Sequence, residues 1–174
     1  MSTKLLMIDP TRCNGCGECE IACSEANPTR RAAGLSCIKI MKADFRGRLH
    51  IPTTCQQCEK PPCGSICPKG AIYRDDALNR VVVATDLCVG CKLCVSACPF
   101  GAMDFDPIHG IAFKCDLCDG DPACVKVCEA NALEYVEGSD LNRPRIQDSA
   151  GKHYAVLHRQ VGGRRPSYTP VISH

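Results

Sequence analysis

Cys88-Val89-Gly90-Cys91-Lys92-Leu93-Cys94-Val95-Ser96-Ala97-Cys98-Pro99 is the stretch that decides how this chain is read. Three cysteines stand two residues apart, a fourth follows after three more, and a proline closes the run. The same order occurs near the start as Cys13-x2-Cys16-x2-Cys19-x3-Cys23. Two lengthened copies complete the set, Cys55-x2-Cys58-x4-Cys63-x3-Cys67-Pro68 and Cys115-x2-Cys118-x5-Cys124-x3-Cys128, each with proline inside the longer gap (Pro61 and Pro62; Pro122). The cysteine spacing is itself an internal repeat. It absorbs all but one of the 17 cysteines.

Three cysteines at this spacing on a tight loop can reach three irons of one 4Fe-4S cube, with Gly15, Gly17 and Gly90 letting the backbone wrap around it. The fourth cannot reach the same cube. It ends a short helical turn (Cys19–Cys23; Cys94–Cys98) and points to a neighbouring cluster, the exchange made by two-cluster ferredoxins, whose spacing the first and third copies match. Proline after the fourth cysteine then turns the chain off the helix. Four clusters on sixteen thiolates are the expected cofactors.

Two other uses of cysteine compete. Zinc in sites of four cysteines also takes Cys-x2-Cys pairs, but a zinc ribbon separates its two pairs by a hairpin, whereas here a third cysteine follows at once. A disulfide scaffold suits an oxidising compartment, and the odd cysteine count and the absence of a signal-like N-terminus speak against it. Only four apolar residues, Leu5 to Ile8, precede Asp9-Pro10, and no run has the length to span a bilayer. A cytoplasmic protein with no direct membrane insertion is expected.

At 174 residues, with no Trp, four Phe and four Tyr, the chain has little apolar material for a core, so metal must supply part of what packing cannot. The formal charge is +2. Each cluster on four thiolates carries a net charge of about −2, which makes the holo-protein acidic and argues against nucleic acid as a partner. No nucleophile-base pair, phosphate loop or dinucleotide fingerprint is present, so no catalytic residue is assigned and the chain is read as a carrier of electrons, not an enzyme.

Short strand signals separate the motifs. Residues 4–8 and 133–136 read as strands flanking the whole. Residues 71–73 and 80–83 read as a hairpin around Asp75-Asp76-Ala77-Leu78-Asn79, and 102–105 with 110–113 as a second around Asp106-Pro107-Ile108-His109. Cys37 lies in an apolar stretch, 35–41, that reads as a strand, and is taken as a buried small hydrophobe. His109 is taken as a turn residue. Lys69, Lys92, Lys114 and Lys126 stand near the cysteines, where they either raise a cluster's potential or are simply solvated. Ser139–His174 lacks cysteine and carries six Lys or Arg against two acids; residues 153–157 read as a strand, and Tyr168, Val171 and Ile172 are apolar anchors. It is read as an arm that folds onto a partner subunit.

With these motifs in place, residues 4 to about 137 resemble the four-cluster electron-transfer subunits of molybdenum and tungsten oxidoreductases, of the dimethyl sulfoxide reductase and formate dehydrogenase type. Asp9-Pro10-Thr11-Arg12-Cys13 through Cys23 is similar to that family's first motif and Cys58-Glu59-Lys60-Pro61-Pro62-Cys63 to its second. The resemblance implies an α+β fold of two nested bacterial-ferredoxin-like units: an outer one from 1–50 and 110–138, an inner one from 51–109, with 139–174 as a C-terminal extension. It also implies the ligand sets: Cys13, Cys16, Cys19 with Cys128; Cys115, Cys118, Cys124 with Cys23; Cys55, Cys58, Cys63 with Cys98; and Cys88, Cys91, Cys94 with Cys67. Ser24 and Glu129 stand where the family places proline, a departure that touches helix detail. The partner implied is a catalytic molybdenum or tungsten subunit, with a ferredoxin or a flavin or nicotinamide module on the other side. The tungsten aldehyde oxidoreductase type is the first choice, with formate dehydrogenase, formate-hydrogen lyase, hydrogenase and carbon monoxide dehydrogenase as alternatives. A free-standing polyferredoxin needs no partner at all.

Overall fold

The computed structural model describes residues 4–26, 32–42 and 49–138. The chain divides after Gly138, and the arm expected over 139–174 lies outside the described residues. The described residues are built from short pieces: eight strands of three to five residues, four short α-helices and a 3-10 turn over Leu117–Gly120.

Strand β1 (Lys4–Ile8) and the last strand, β8 (Leu133–Glu137), pair antiparallel with Lys4 opposite Glu137 and Ile8 opposite Leu133. The two ends of the cysteine-bearing region therefore close on each other. β2 (Lys39–Lys42) pairs with β3 (His50–Thr53), β4 (Ile72–Asp75) with β5 (Arg80–Val83), and β6 (Asp104–Asp106) with β7 (Ile111–Phe113). Each ladder is two-stranded, so every strand is an edge and Pro52 is tolerated in β3. The hairpins expected at 71–83 and 102–113 form, shortened at their outer ends, while β4 and β6 run on into the expected turns as far as Asp75 and Asp106. The strand expected over 35–41 does not: pairing begins only at Lys39, because β3 offers just four residues as partner and Cys37 and Ile38 turn inward instead.

Turn chemistry fixes both central hairpins. Asp75 Oδ1 accepts from the Ala77 amide and Asn79 takes the left-handed conformation. Asp106 Oδ1 accepts from the amides of Ile108 and His109. Asp106 is wholly buried, and its Oδ2 also takes the Ala32 amide and His109 Nδ1, each at 2.6 Å. Burial opposes its ionisation, but these donors outweigh burial and hold the carboxyl well below the ordinary carboxylate range. His109 is thus a turn residue, as its sequence context suggested, with Asp106 as its partner.

The helices explain the prolines in the lengthened motifs. α2 (Pro62–Ser65) begins with Pro61 as cap and Pro62 in its first turn, and α4 (Ala123–Lys126) has Pro122 as cap. There a missing amide costs nothing and a fixed φ helps. α1 (Glu18–Ala26) runs three residues beyond Cys23, where no proline stops it. α3 (Leu93–Ala97) stops just short of Cys98, which is already extended. α1 packs against α4 and α2 against α3. Two apolar clusters result, and cysteines are part of both. Cys19, Cys23, Cys37 and Cys124 gather with Ile38, Phe113 and Leu133; Cys63 and Cys94 gather with Ile72, Val81, Met103 and Ala112.

Candidate metal centres

Each motif begins with a loop whose second residue after the first cysteine has positive φ: Gly15 (+75°), Gln57 (+49°), Gly90 (+68°) and Leu117 (+58°). That bend turns the following cysteine back toward the first. At Gly15 and Gly90 space adds a second reason for glycine. A Cβ at Gly15 would lie 2.6 Å from the His50 ring, and one at Gly90 would strike the Gly110 carbonyl. Asn14 and Asp116 occupy equivalent positions in the first and fourth loops, and the side-chain oxygen of each accepts from the amide of the next cysteine, Cys16 (3.1 Å) and Cys118 (3.0 Å).

The loops bring cysteines together in groups that cross between motifs. Cys23, from the end of the first motif, lines one recess with Cys115, Cys118 and Cys124. Cys67, from the end of the second, lines another with Cys88, Cys91 and Cys94. Burial pushes the Cys19 thiol up to about 11, with Glu20 and the nearby thiols of Cys13, Cys16 and Cys128 adding to it. Burial likewise raises Cys63, with Cys55 and Cys98 pushing the same way against the opposing effect of Lys114 and the Gly64 amide. Cys124 is raised furthest, by burial and then by Cys115, Cys23, Cys118 and Cys19. For Cys115, burial pushes the thiol up to about 11 against the Leu117 amide, the Thr54 hydroxyl and Lys114. These thiols stay protonated without metal, so loading must expel protons and is favoured by rising pH. Among the sixteen cysteines, Cys58 is the one for which no sulfur neighbour is established by these contacts.

The donor groups fit iron-sulfur clusters on three counts. Four motif thiols, the ligands such clusters take, line each recess, joined in the first by Cys37, Thr54 and Asp116. All 17 cysteines are free of disulfides. Backbone amides already point at sulfur: Cys37 to Cys23 (3.3 Å), Gln57 to Cys55 (3.4 Å), Ala102 to Cys98 (3.4 Å), Ala112 to Cys88 (3.4 Å) and Ala132 to Cys128 (3.2 Å), bonds of the kind that stabilise thiolate and cluster sulfur. Among the described residues no three His, Cys, Asp or Glu side chains close on one point, as a mononuclear ion requires. The cysteines stand around a space instead.

Several residues that spacing did not single out support these loops. Cys37, 8 % exposed, is the buried hydrophobe expected, yet its amide serves Cys23 and its carbonyl accepts from Thr54 Oγ1 at 2.9 Å. Gln57 spans two loops: Nε2 donates to the Cys115 carbonyl (2.9 Å), Oε1 accepts from the Val81 amide (2.8 Å), and its carbonyl accepts from Arg74 (3.3 Å). Arg80 joins the β4–β5 turn to the fourth loop through Asp75 (2.9 Å), Asp119 (2.6 Å) and the Asp116 carbonyl (2.9 Å). His50 Nδ1 is buried without a hydrogen-bond partner against the first loop. The one signal available beforehand was Gln57 itself, a large polar residue where two sister motifs carry glycine. The four lysines part company. Lys114 is buried at 5 % exposure, Lys92 sits 4.1 Å above the Phe105 ring, Lys126 pairs with Asp121, and Lys69 is exposed.

No helix among the described residues is long and apolar enough to cross a membrane. Comparison with known proteins gives electron-transport relatives. Electron transport protein HydN of Escherichia coli is 36% identical over 109 residues, covering 58% of this chain and 59% of that one. Formate hydrogenlyase subunit 2 of Escherichia coli is 41% identical over 102 residues, 59% of this chain and 48% of that one. Protein NrfC of Escherichia coli is 36% identical over 113 residues, 62% and 50%. The chain thus spans roughly half to three fifths of the length of the curated relatives it matches. Among solved structures, the active site complex BamBC of benzoyl coenzyme A reductase aligns over 92% of this chain and 98% of that one, at 24% identity and a TM-score of 0.43, a likeness too slight to bear on function. A 4Fe-4S binding domain profile matches residues 10–26 and a 4Fe-4S dicluster domain profile residues 47–138, just over half the chain. This iron-sulfur chain with electron-transport relatives belongs to the 4Fe-4S dicluster domain family.

Proposed function

We propose that the chain is a non-catalytic electron-transfer subunit holding four 4Fe-4S clusters in two nested ferredoxin-like units. The ligand sets are Cys13, Cys16, Cys19 and Cys128; Cys115, Cys118, Cys124 and Cys23; Cys55, Cys58, Cys63 and Cys98; and Cys88, Cys91, Cys94 and Cys67. What carries this reading is the crossing: recesses lined by three cysteines of one motif and the last cysteine of another. The pairing of α1 with α4 and α2 with α3 supports the nesting. When bound, the clusters supply single-electron transfer. The protein's own residues set burial, amide donors to sulfur and nearby charge. The crossing has a direct test. Cys128→Ala should abolish the same paramagnetic species as Cys13→Ala; loss of the species tied to Cys115 instead would refute the assignment.

The partner is a cytoplasmic redox enzyme, of the molybdenum or tungsten class, with a ferredoxin or a flavin or nicotinamide module as the other electron exchange partner. Residues 139–174 serve as the docking arm. Of the types the sequence left open, the 41% identity to a formate hydrogenlyase subunit favours a formate-linked complex over an aldehyde oxidoreductase. Affinity purification from the native cells tests this: a formate-oxidising subunit should co-purify with the full chain and not with one ending at Gly138. Recovery of an aldehyde oxidoreductase restores the first choice, and recovery of no redox enzyme leaves a free-standing polyferredoxin.

A further inference from the structure

Lys114 is a buried cation whose described contacts are all with neutral groups. Its ammonium donates to the Val81 carbonyl, to the Cys115 carbonyl (2.7 Å) and to Gln57 Oε1 (3.3 Å). No carboxylate pairs with it among the described residues, whereas the more exposed Lys4, Lys39 and Lys126 pair with Glu137, Asp104 and Asp121. A charge taken out of water without a counter-charge is strongly unfavourable, so buried charges are normally paired. The missing anion has a clear source in the surroundings. One contact is the backbone of Cys115; another is Gln57, which sits between Cys55 and Cys58. The charge of Lys114 acts on the thiols of both Cys115 and Cys63. Cys55 and Cys115 are themselves near enough to influence each other. Lys114 therefore stands where two cysteine groups meet, with one from each side in reach.

We propose that Lys114 is the shared counter-cation of two clusters, those on the Cys115-Cys118-Cys124-Cys23 and Cys55-Cys58-Cys63-Cys98 sets, and that it holds the reduction potentials of both above the values they would otherwise take. This rests on the four-cluster reading. Each such cluster carries about −2 on its thiolates and gains another negative charge on reduction, so a fixed cation nearby favours the reduced form. Gln57 completes the device. With Oε1 toward Lys114 and Nε2 toward the Cys115 carbonyl, it holds the ammonium between the two loops without neutralising it. Lys92 and Lys126, half in solvent and already engaged with Phe105 and Asp121, are screened by comparison.

The test is redox titration of the full holo-chain carrying Lys114→Met, followed by electron paramagnetic resonance, with Cys118→Ala and Cys58→Ala used to assign signals. Two of the four potentials should fall, each by at least a tenfold change in the oxidised-to-reduced ratio at fixed ambient potential, about 59 mV for one electron. The other two should stay in place, and Lys114→Arg should restore all four. Unchanged potentials, or an equal fall in all four, would overturn the proposal. Should Lys114→Met fail to retain iron, Lys114→Gln, which can still donate to the two carbonyls, gives the same reading. Loss of iron in both neutral variants with full loading in Lys114→Arg supports the charge role. Loss in all three makes Lys114 a packing element and overturns it. Wild-type iron far from four clusters would instead strike the four-cluster reading itself.

Discussion

The loops of motifs one and three differ from those of motifs two and four in how they reach the same backbone. All four bend through positive φ at the second residue after the first cysteine. Motifs one and three do so with glycine, and their middle cysteines, Cys16 and Cys91, are exposed. Motifs two and four use Gln57 and Leu117, and Cys58 and Cys118 are half-buried. A side chain in this conformation is strained by about 1–2 kcal/mol, so something must hold it there. For Leu117 it is complete burial; for Gln57 it is hydrogen bonds to Cys115, Val81 and Lys114. At their middle cysteines, motifs two and four are thus enclosed by neighbouring segments. Motifs one and three leave theirs open to solvent, although Cys19, Cys23 and Cys94 of the same motifs are buried.

Iron content should show that contrast most strongly. Cys124→Ala, at a buried cysteine of motif four, should cost the chain well over half its iron, because Cys124 belongs to the apolar cluster with Ile38, Phe113 and Leu133. Cys91→Ala, at the exposed middle cysteine of motif three, should remove only about a quarter, one cluster in four. Equal losses would erase the distinction between buried and exposed cysteines. Next in size are two loop substitutions read by thermal unfolding of the holo-protein. Leu117→Gly relieves the positive φ but empties a buried site and should cost about 3 kcal/mol. Gly90→Ala, which keeps every existing contact, should still cost about 2 kcal/mol because the added methyl meets the Gly110 carbonyl. A stabilised Leu117→Gly would mean that strain, not packing, dominates that loop.

Acid sharpens the comparison further. In the fold, Asp106 is more acidic than its ordinary 3.8, so its contribution to stability is fully present above that pH and fades as pH falls below it. Asp106→Asn should lower the unfolding temperature at pH 6, and the gap from wild type should narrow below pH 3.8. A constant gap would show that the carboxylate charge is irrelevant to the β6–β7 turn. The smallest effect is expected of Cys37→Ala, since its amide, not its sulfur, serves Cys23. Iron should be unchanged and stability lowered by about 1 kcal/mol. Loss of one cluster would make Cys37 a ligand.

Much of this was legible in the sequence because it is local. Cysteine spacing, glycines at 15 and 90, Asp-rich turns and alternating short apolar runs all act within a few residues of themselves. The cofactor class followed from spacing alone. Long-range matters were not legible. Nothing in His50-Ile51-Pro52-Thr53 marks a strand until β2 lies beside it, and the β1–β8 pairing joins residues from opposite ends of the motif region. Lys114 illustrates the limit best. As a lysine next to a cysteine it is indistinguishable from Lys92, and only the meeting of the β4–β5 hairpin with two cysteine loops buries it.

Iron and sulfide analysis of anaerobically purified chain, with its visible spectrum before and after reduction, tests most directly whether sixteen cysteines hold four clusters. About sixteen iron and as many acid-labile sulfides per chain, with a broad visible absorption that bleaches on reduction, is the predicted result. A colourless protein, or one with about four metal ions per chain and no labile sulfide, would contradict it.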